Sequence, residues 1–328
     1  MSPVVDLAEY AASFAVDSDS AIAVARQCLL ESLACGFETI SAPQRASLVG
    51  PIVPGAVMPG GARVPGTSLE LDPAQAAFCL GLMLCRAAGG DDWLAPDHAH
   101  IADPVGAILA VADYQARRAA MEGKPPPKVR DVLGAIVKAL EIQALLAARD
   151  GDRPTEAAAI RLARIAAAAI VTAQLGGTPA QIISTVGYAC RDEGIANGAD
   201  ELHASRSGDW VTADAISRTV RHACRVVAAG GSGLPTSLDL EAGRVDRELF
   251  GNPRAAAQRL GSVFADRVAC SRKPLAAAVL MLRFQAAVDG YFPARQAERI
   301  KTLFAARERF DDLPFNEMMA ALVTNGKR

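Results

Sequence analysis

The residues best suited to chemistry lie in one short segment, residues 91–103, which reads Asp-Asp-Trp-Leu-Ala-Pro-Asp-His-Ala-His-Ile-Ala-Asp. Two of the chain's four histidines, His98 and His100, stand here among the aspartates Asp91, Asp92, Asp97 and Asp103. Imidazoles and carboxylates at this density are typical of sites that transfer protons or bind metal ions. The segment is therefore the first candidate for an active site.

A helix predicted to start at Pro104 explains how this segment would act. Asp103 is a capping acid in front of a proline at the first helical position. The free amide groups and positive dipole end of that helix would attract a negative substrate group and favour a neutral, proton-accepting imidazole. We expect His100 to act as general base and Asp91 to orient it.

Each of these residues also has a structural interpretation. Asp103 would then only cap the helix, Asp92 would be solvated and His98 would be an exposed loop residue. Metal binding is a further alternative, because His98 and His100 with nearby carboxylates offer nitrogen and oxygen ligands. The two other histidines are distant in the sequence and complete no familiar ligand spacing, so no metal is predicted.

The composition limits the class of protein. The 328 residues are 51% hydrophobic but only 5% aromatic, and alanine dominates the apolar fraction, which favours close-packed helices. A net charge of -2 without a basic cluster predicts no nucleic-acid or membrane partner. Seven cysteines without a C-x-x-C pair indicate reduced thiols. With no secretory signal and no apolar run that would span a bilayer, we expect a soluble, cytoplasmic protein.

Helical periodicity predicts a single all-α domain over residues 1–328. One helix is expected over residues 20–37 and to end at Gly36, whereas prolines and glycines predict a short extended or β segment near 42–72. Further helices are predicted near 73–88, 104–121, 129–149, 155–175, 179–196, 210–229, 253–263, 274–291, 294–308 and 314–323.

Several ordered motifs resemble those of one known family, the MmgE/PrpD family, over nearly the whole chain. They are Gly50–Gly55, Arg63–Gly66, Leu71–Phe78, His100, Gly106–Tyr114, Glu141–Gln143, Ala213–Arg218, Tyr291–Gln296 and Leu313–Glu317. The resemblance implies a large helical domain, usually found in homodimers, under a smaller α/β lid domain. It also implies lyase, decarboxylase or epimerase chemistry on di- or tricarboxylic acids without a cofactor.

The chain departs from the family pattern at the positions that carry chemistry. The family loop has an acid where this chain has Ala88, a threonine where it has Asp92 and a proline where it has Ile101. A second family histidine lines up with Ala159, and a lysine lines up with Gly208. Most of the lid is expected to be deleted near residues 273–283, which leaves no complete α/β lid domain.

Other charged residues are candidates to replace the missing groups. Proton transfer would be supplied by Asp92, Asp97 and His98. Substrate carboxylates would be held by Arg206, Arg272 and Lys273, unless these pair with surface acids instead.

Two hypotheses about function follow from these observations. In the first, the chain is a lid-less enzyme with acid/base chemistry on a carboxylate substrate, with His100 as base and Asp92 or Asp97 as proton donor. In the second, it is a non-catalytic relative that forms a helical dimer with itself or with a full-length family member.

Overall fold

The fold is built almost entirely from α-helices. The computed structural model describes residues 2–84, 103–147, 156–191, 208–230 and 277–324. Within these ranges the helices, numbered in chain order, are α1 (Pro3–Ser13), α2 (Asp19–Ile40), α3 (Pro43–Ala46), α4 (Pro73–Leu84), α5 (Asp103–Met121), α6 (Val129–Ala147), α7 (Glu156–Gln174), α8 (Pro179–Arg191), α9 (Gly208–Ala228), α10 (Ala277–Tyr291), α11 (Ala294–Ala305), α12 (Arg307–Asp312) and α13 (Phe315–Ala321). The predicted all-α fold is confirmed.

The predicted extended segment contains the only strands in the described ranges. β1 (Ala62–Arg63) pairs with β2 (Glu70–Leu71) in antiparallel register, with Ala62 opposite Leu71. The segment is not extended throughout, because Pro43–Ala46 forms one helical turn. No α/β lid is seen among the described residues, which include 277–283 of the expected deletion point.

Two predicted boundaries were wrong, and one helix was not predicted. Helix α2 does not end at Gly36 but continues to Ile40. The helix predicted over 294–308 divides at Ala306, whose backbone torsions, φ -84° and ψ 72°, are not helical. Helix α1 was not expected, although its buried residues Val4, Leu7, Ala8 and Ala11 follow helical spacing. The helix predicted over 253–263 lies outside the described residues.

Most of the core is one large apolar cluster that joins residues from α1 to α13. Helix α7 lies at its centre and packs against α5, α6, α8 and α9. Its residues 166–169 are four consecutive alanines, all completely buried. Because alanine adds little volume, helices can approach α7 from every side.

Helix α2 belongs to this core although its composition resembles that of a membrane span. It is long and apolar enough to cross a bilayer, contrary to the expectation from the sequence. However, 72% of its apolar window is buried inside the protein. It packs against α4, α6 and α10, as a core helix does.

A buried ion pair joins the strand pair to the helices. The Asp113 carboxylate on α5 accepts hydrogen bonds from Arg63 Nε at 3.0 Å, from its Nη2 at 2.6 Å and from its backbone amide at 2.8 Å. Arg63 Nη2 also donates to the Asn316 carbonyl on α13 at 2.6 Å. Since the Asp113 side chain is completely buried, these bonds are shielded from competing water.

A second buried polar contact holds α1 against α6. The Tyr10 hydroxyl donates to the Glu141 carboxylate. Burial, followed by the nearby Glu141 charge, raises the pKa of Tyr10, which keeps it protonated as a donor. Lys138 Nζ donates to the carbonyls of Ala11 (2.9 Å) and Phe14 (3.2 Å) at the carboxyl end of α1.

We expect Asp113→Asn to destabilise the protein strongly. The substitution leaves the Arg63 guanidinium without its buried counter-charge, which costs about 3 kcal/mol or more of the free energy of unfolding. Urea denaturation followed by circular dichroism measures the change. Glu122→Gln, which removes an exposed carboxylate paired with Arg118 and Lys124, is the control and should unfold like the wild type. Equal effects of the two substitutions would contradict the role of the buried pair.

Candidate active site

The last turn of α4 leads into the candidate segment and is closely surrounded by three helices. A Cβ atom added to Gly106 of α5 would lie 2.9 Å from the backbone nitrogen of Gly81. One added to Gly81 would lie 2.9 Å from Ala213 Cβ of α9, and one on Gly36 of α2 would lie 3.1 Å from Leu84 Cδ2. Glycine at these positions therefore lets the helices approach more closely than larger residues would. Gly36 serves this contact rather than ending its helix.

Contacts between α4 and α9 show that the two helices run antiparallel. Near the start of α4, Ser217 Oγ donates to the Ala74 carbonyl at 2.8 Å. One turn further along α4, the Phe78 ring meets the Trp210 ring edge-on, with centroids 4.7 Å apart. The first turn of α9 therefore lies toward the end of α4.

Helices α7 and α9 run parallel, which brings a third helix start to the same place. Ile160 of α7 forms a small apolar cluster with Val211 and Ala215 of α9. Further along both helices, Arg164 Nε lies 3.4 Å from Thr219 Oγ1. The carboxyl end of α4 and the amino ends of α5, α7 and α9 thus meet at one end of the bundle, which we name the α4 end.

The α4 end carries two positions at which the sequence analysis noted a lost catalytic group. Ala159 lies in the first turn of α7 and is buried, and Gly208 is the first residue of α9. Leu84 and Asp103, the described residues on either side of the candidate segment, lie there too. Positions far apart in the sequence are therefore brought together.

The predicted site residues themselves lie outside the described residues. Those of the candidate segment are Asp91, Asp92, Asp97, His98 and His100, and those of the predicted carboxylate-binding group are Arg206, Arg272 and Lys273. Their roles stay predictions. In the part of the chain that the structure describes, no three His, Cys, Asp or Glu residues are grouped so that they could hold a metal ion.

One buried charge near the α4 end was missed by the sequence analysis. Arg164 is only 2% exposed, and it is the largest side chain among the fully buried residues described. It lies between α7 and α9, about 7.5 Å along the helix axis from Ala159. The available signal was its spacing, since it stands four residues from both Ile160 and Ala168 on the buried face.

A described histidine lies away from the α4 end. His222 is near the end of α9, about 20 Å along the axis from the first residue of that helix. Its ring stacks on Tyr188 with centroids 4.0 Å apart. Burial lowers its pKa, and the nearby Arg191 and Arg225 lower it further. Its position gives it no part in the candidate site.

The described residues define an all-helical protein in which Leu84 and Asp103, on either side of the ionisable segment, lie at one end of a helix bundle. The sequence profile of the MmgE/PrpD N-terminal domain matches residues 5–270. The chain belongs to the MmgE/PrpD family.

Relatives at moderate identity carry dehydratase names. The chain is 38% identical over 238 residues to 2-methylcitrate dehydratase of Salmonella typhimurium, covering 72% of this chain and 49% of that protein. It is 36% identical over 259 residues to the mitochondrial 2-methylcitrate dehydratase of Yarrowia lipolytica, covering 78% and 49%. It is 31% identical over 246 residues to alkylcitrate dehydratase phiI of a fungal species, covering 71% and 47%. The chain spans about half the length of the curated relatives it matches.

We expect Gly106→Ala to destabilise the bundle at the α4 end. The added methyl group would overlap the backbone of α4, and overpacking of this kind costs about 1–3 kcal/mol. Gly134→Ala on α6 is the matched control, because a Cβ there meets only Val16 at 3.7 Å, an ordinary contact. The control should be neutral or stabilising by up to about 1 kcal/mol. Urea denaturation of both variants measures the difference, and a harmless Gly106→Ala would disprove the close contact.

Proposed function

We propose that this chain carries the acid/base centre of a lyase resembling 2-methylcitrate dehydratase, acting on a small hydroxy-carboxylate. The observation that carries the proposal is the meeting of α4, α5, α7 and α9 at the α4 end. Membership of the MmgE/PrpD family and the names of the relatives support it independently.

Covalent geometry supports His100 as the base. His100 stands three positions before Asp103, so its Cα atom is at most about 11 Å from the Cα atom at which α5 begins. The amino end of a long helix favours bound carboxylate through its free amides and dipole. The sequence therefore puts the imidazole in the short stretch of chain that precedes a helix end suited to bind a substrate carboxylate.

The proposed reaction is the elimination of water. His100 removes a proton from the carbon beside a substrate carboxylate, while Asp91 orients the imidazole. The hydroxyl on the adjacent carbon takes a proton from Asp92 or Asp97 and leaves as water as the carbon–carbon double bond forms. Asp92, Asp97 and His98 would thus compensate for the groups replaced at Ala88 and Ala159, and Arg206, Arg272 and Lys273 would hold the other carboxylates.

We expect His100→Ala to lower turnover by about a hundredfold or more, because the step would lose its general base. The assay incubates the purified chain with 2-methylcitrate and with citrate and follows the ultraviolet absorbance of the new double bond. His222→Ala is the control and should keep the wild-type rate. A chelator should have no effect on a reaction that uses no metal ion.

Two results would contradict the proposal. Turnover that is unchanged in His100→Ala would remove this residue from the chemistry. Complete absence of turnover by the wild-type chain with both substrates would reject the dehydratase and leave the second candidate function.

The second candidate is a non-catalytic subunit that dimerises, and an exposed apolar surface favours it. The segment 48–58 exposes the large apolar side chains of Leu48, Ile52, Val53, Val57 and Met58, with Ile52 at 80%. Met121, 77% exposed, lies close to the chain just after this segment, since its Sδ atom is 3.4 Å from the Cβ position of Gly60. Contiguous exposed apolar surface is typical of protein interfaces. The partner we propose is a second copy of this chain.

We expect Ile52→Asp to shift the protein from dimer to monomer, because an interface cannot bury an unpaired carboxylate without cost. Sedimentation velocity measures the two species. Leu282→Asp on α10 is the matched control, since Leu282 is also highly exposed (65%) but belongs to another element. A monomeric wild-type chain, or equal dissociation in both variants, would reject this interface.

A further inference from the structure

A groove between α11 and α13 lies among motifs that the proposed chemistry does not use. Its volume is about 730 Å³, within the range of about 300–1,000 Å³ that is usual for small-molecule sites. Motif Tyr291–Gln296 contributes Arg295 to its lining, and motif Leu313–Glu317 contributes its first and last residues.

Hydrogen bonds fix both walls of this groove. Gln296 Nε2, at the start of α11, donates to the carbonyls of Ala321 (3.0 Å) and Val323 (2.7 Å). On the other side, the Leu313 carbonyl accepts from the Val129 amide at 2.9 Å. The backbone on both sides of the groove is therefore held in place by hydrogen bonds.

The lining combines an apolar floor with two arginines on one wall. Leu303, Leu313 and Ala321 are half-buried, and Arg295 and Arg299 project from α11 four residues apart. Residues at this spacing are neighbours on a helix, so the two guanidinium groups repel each other. Arg295 is also in the first turn, where the helix dipole disfavours a cation.

The acids nearby do not neutralise these arginines. Among the described residues, no carboxylate lies within ion-pair distance of Arg295 or Arg299. Glu298 pairs instead with Lys301 at 3.1 Å. Glu317 lines the groove but forms no such pair with either arginine. The lining therefore carries two arginines without an ion-pair partner among the described residues, beside Glu317 and the Lys301-paired Glu298, and a bound anion would contact the two guanidinium groups.

We infer that this groove binds a small organic anion whose carboxylate or phosphate contacts Arg295 and Arg299 and whose apolar part rests on Leu303 and Leu313. Guanidinium groups bind such oxyanions by paired, charge-assisted hydrogen bonds. Glu317 would limit the site to one anionic group by repelling a second. This site is separate from the α4 end and does not depend on the proposed lyase activity.

The test is isothermal titration of the whole chain with hexanoate, which has one carboxylate and an apolar tail, and separately with inorganic phosphate at low ionic strength. We expect saturable binding that Arg299→Gln weakens by about tenfold or more, because a charge-assisted hydrogen bond is lost. Glu317→Gln should strengthen binding by about threefold, because it removes a repelling charge. Arg309→Gln, which removes an exposed arginine of α12 outside the groove, is the control and should bind like the wild type.

The two probes distinguish the sources of the anion. Hexanoate binding tighter than phosphate binding supports an organic anion that uses the apolar floor, whereas equal or weaker hexanoate binding would contradict the role of Leu303 and Leu313. Absence of saturable binding of both, or equal weakening by Arg299→Gln and Arg309→Gln, would overturn the inference. Hexanoate binding that is lost in His100→Ala but kept in Arg299→Gln would also overturn it, while leaving the proposed lyase intact.

Discussion

The arrangement of this protein depends on how closely four helices can approach at the last turn of α4. Gly36, Gly81 and Gly106 leave room for neighbouring backbone and side chains at about 3 Å from where a Cβ atom would stand. A larger residue at Gly81 or Gly106 would separate α4 and α5, the two helices that flank the candidate segment in the sequence. The geometry of the α4 end thus depends on glycines, which have no side chain. In a close-packed interior, even one added methyl group must displace a neighbouring atom.

The motifs by which the chain resembles its family serve structure in several visible cases. Arg63, Asp113 and Asn316 come from three of these motifs and meet in one buried hydrogen-bonded group. Glu141, from a fourth, receives the Tyr10 hydroxyl. Burying a charge is costly without a partner, so such groups tolerate little change once the fold relies on them. Their presence supports the family assignment and does not by itself support catalysis.

The helical scaffold therefore keeps more of the family pattern than the candidate catalytic positions do. The helices that would position a catalytic segment are intact, while Ala159 and Gly208 supply no ionisable group at the α4 end. Acid/base catalysis needs at least two groups whose protonation states match the task. In the proposed enzyme this requirement is met from within residues 91–103, which concentrates the proton transfers on one segment instead of several helices.

The sequence by itself determined the helical fold class and most helix positions, because apolar spacing and proline placement act locally; α5 begins beside Pro104 as predicted. It also identified residues 91–103 as the candidate segment. The predicted site residues of that segment lie outside the described ranges, so their roles remain predictions. Only the tertiary structure decided that Gly36 is a contact rather than a helix end, that Arg164 is buried, and that Ala159 and Gly208 share one end of the bundle. The physical reason is that glycine and arginine have several compatible roles, and the neighbours that select among them come from distant parts of the chain.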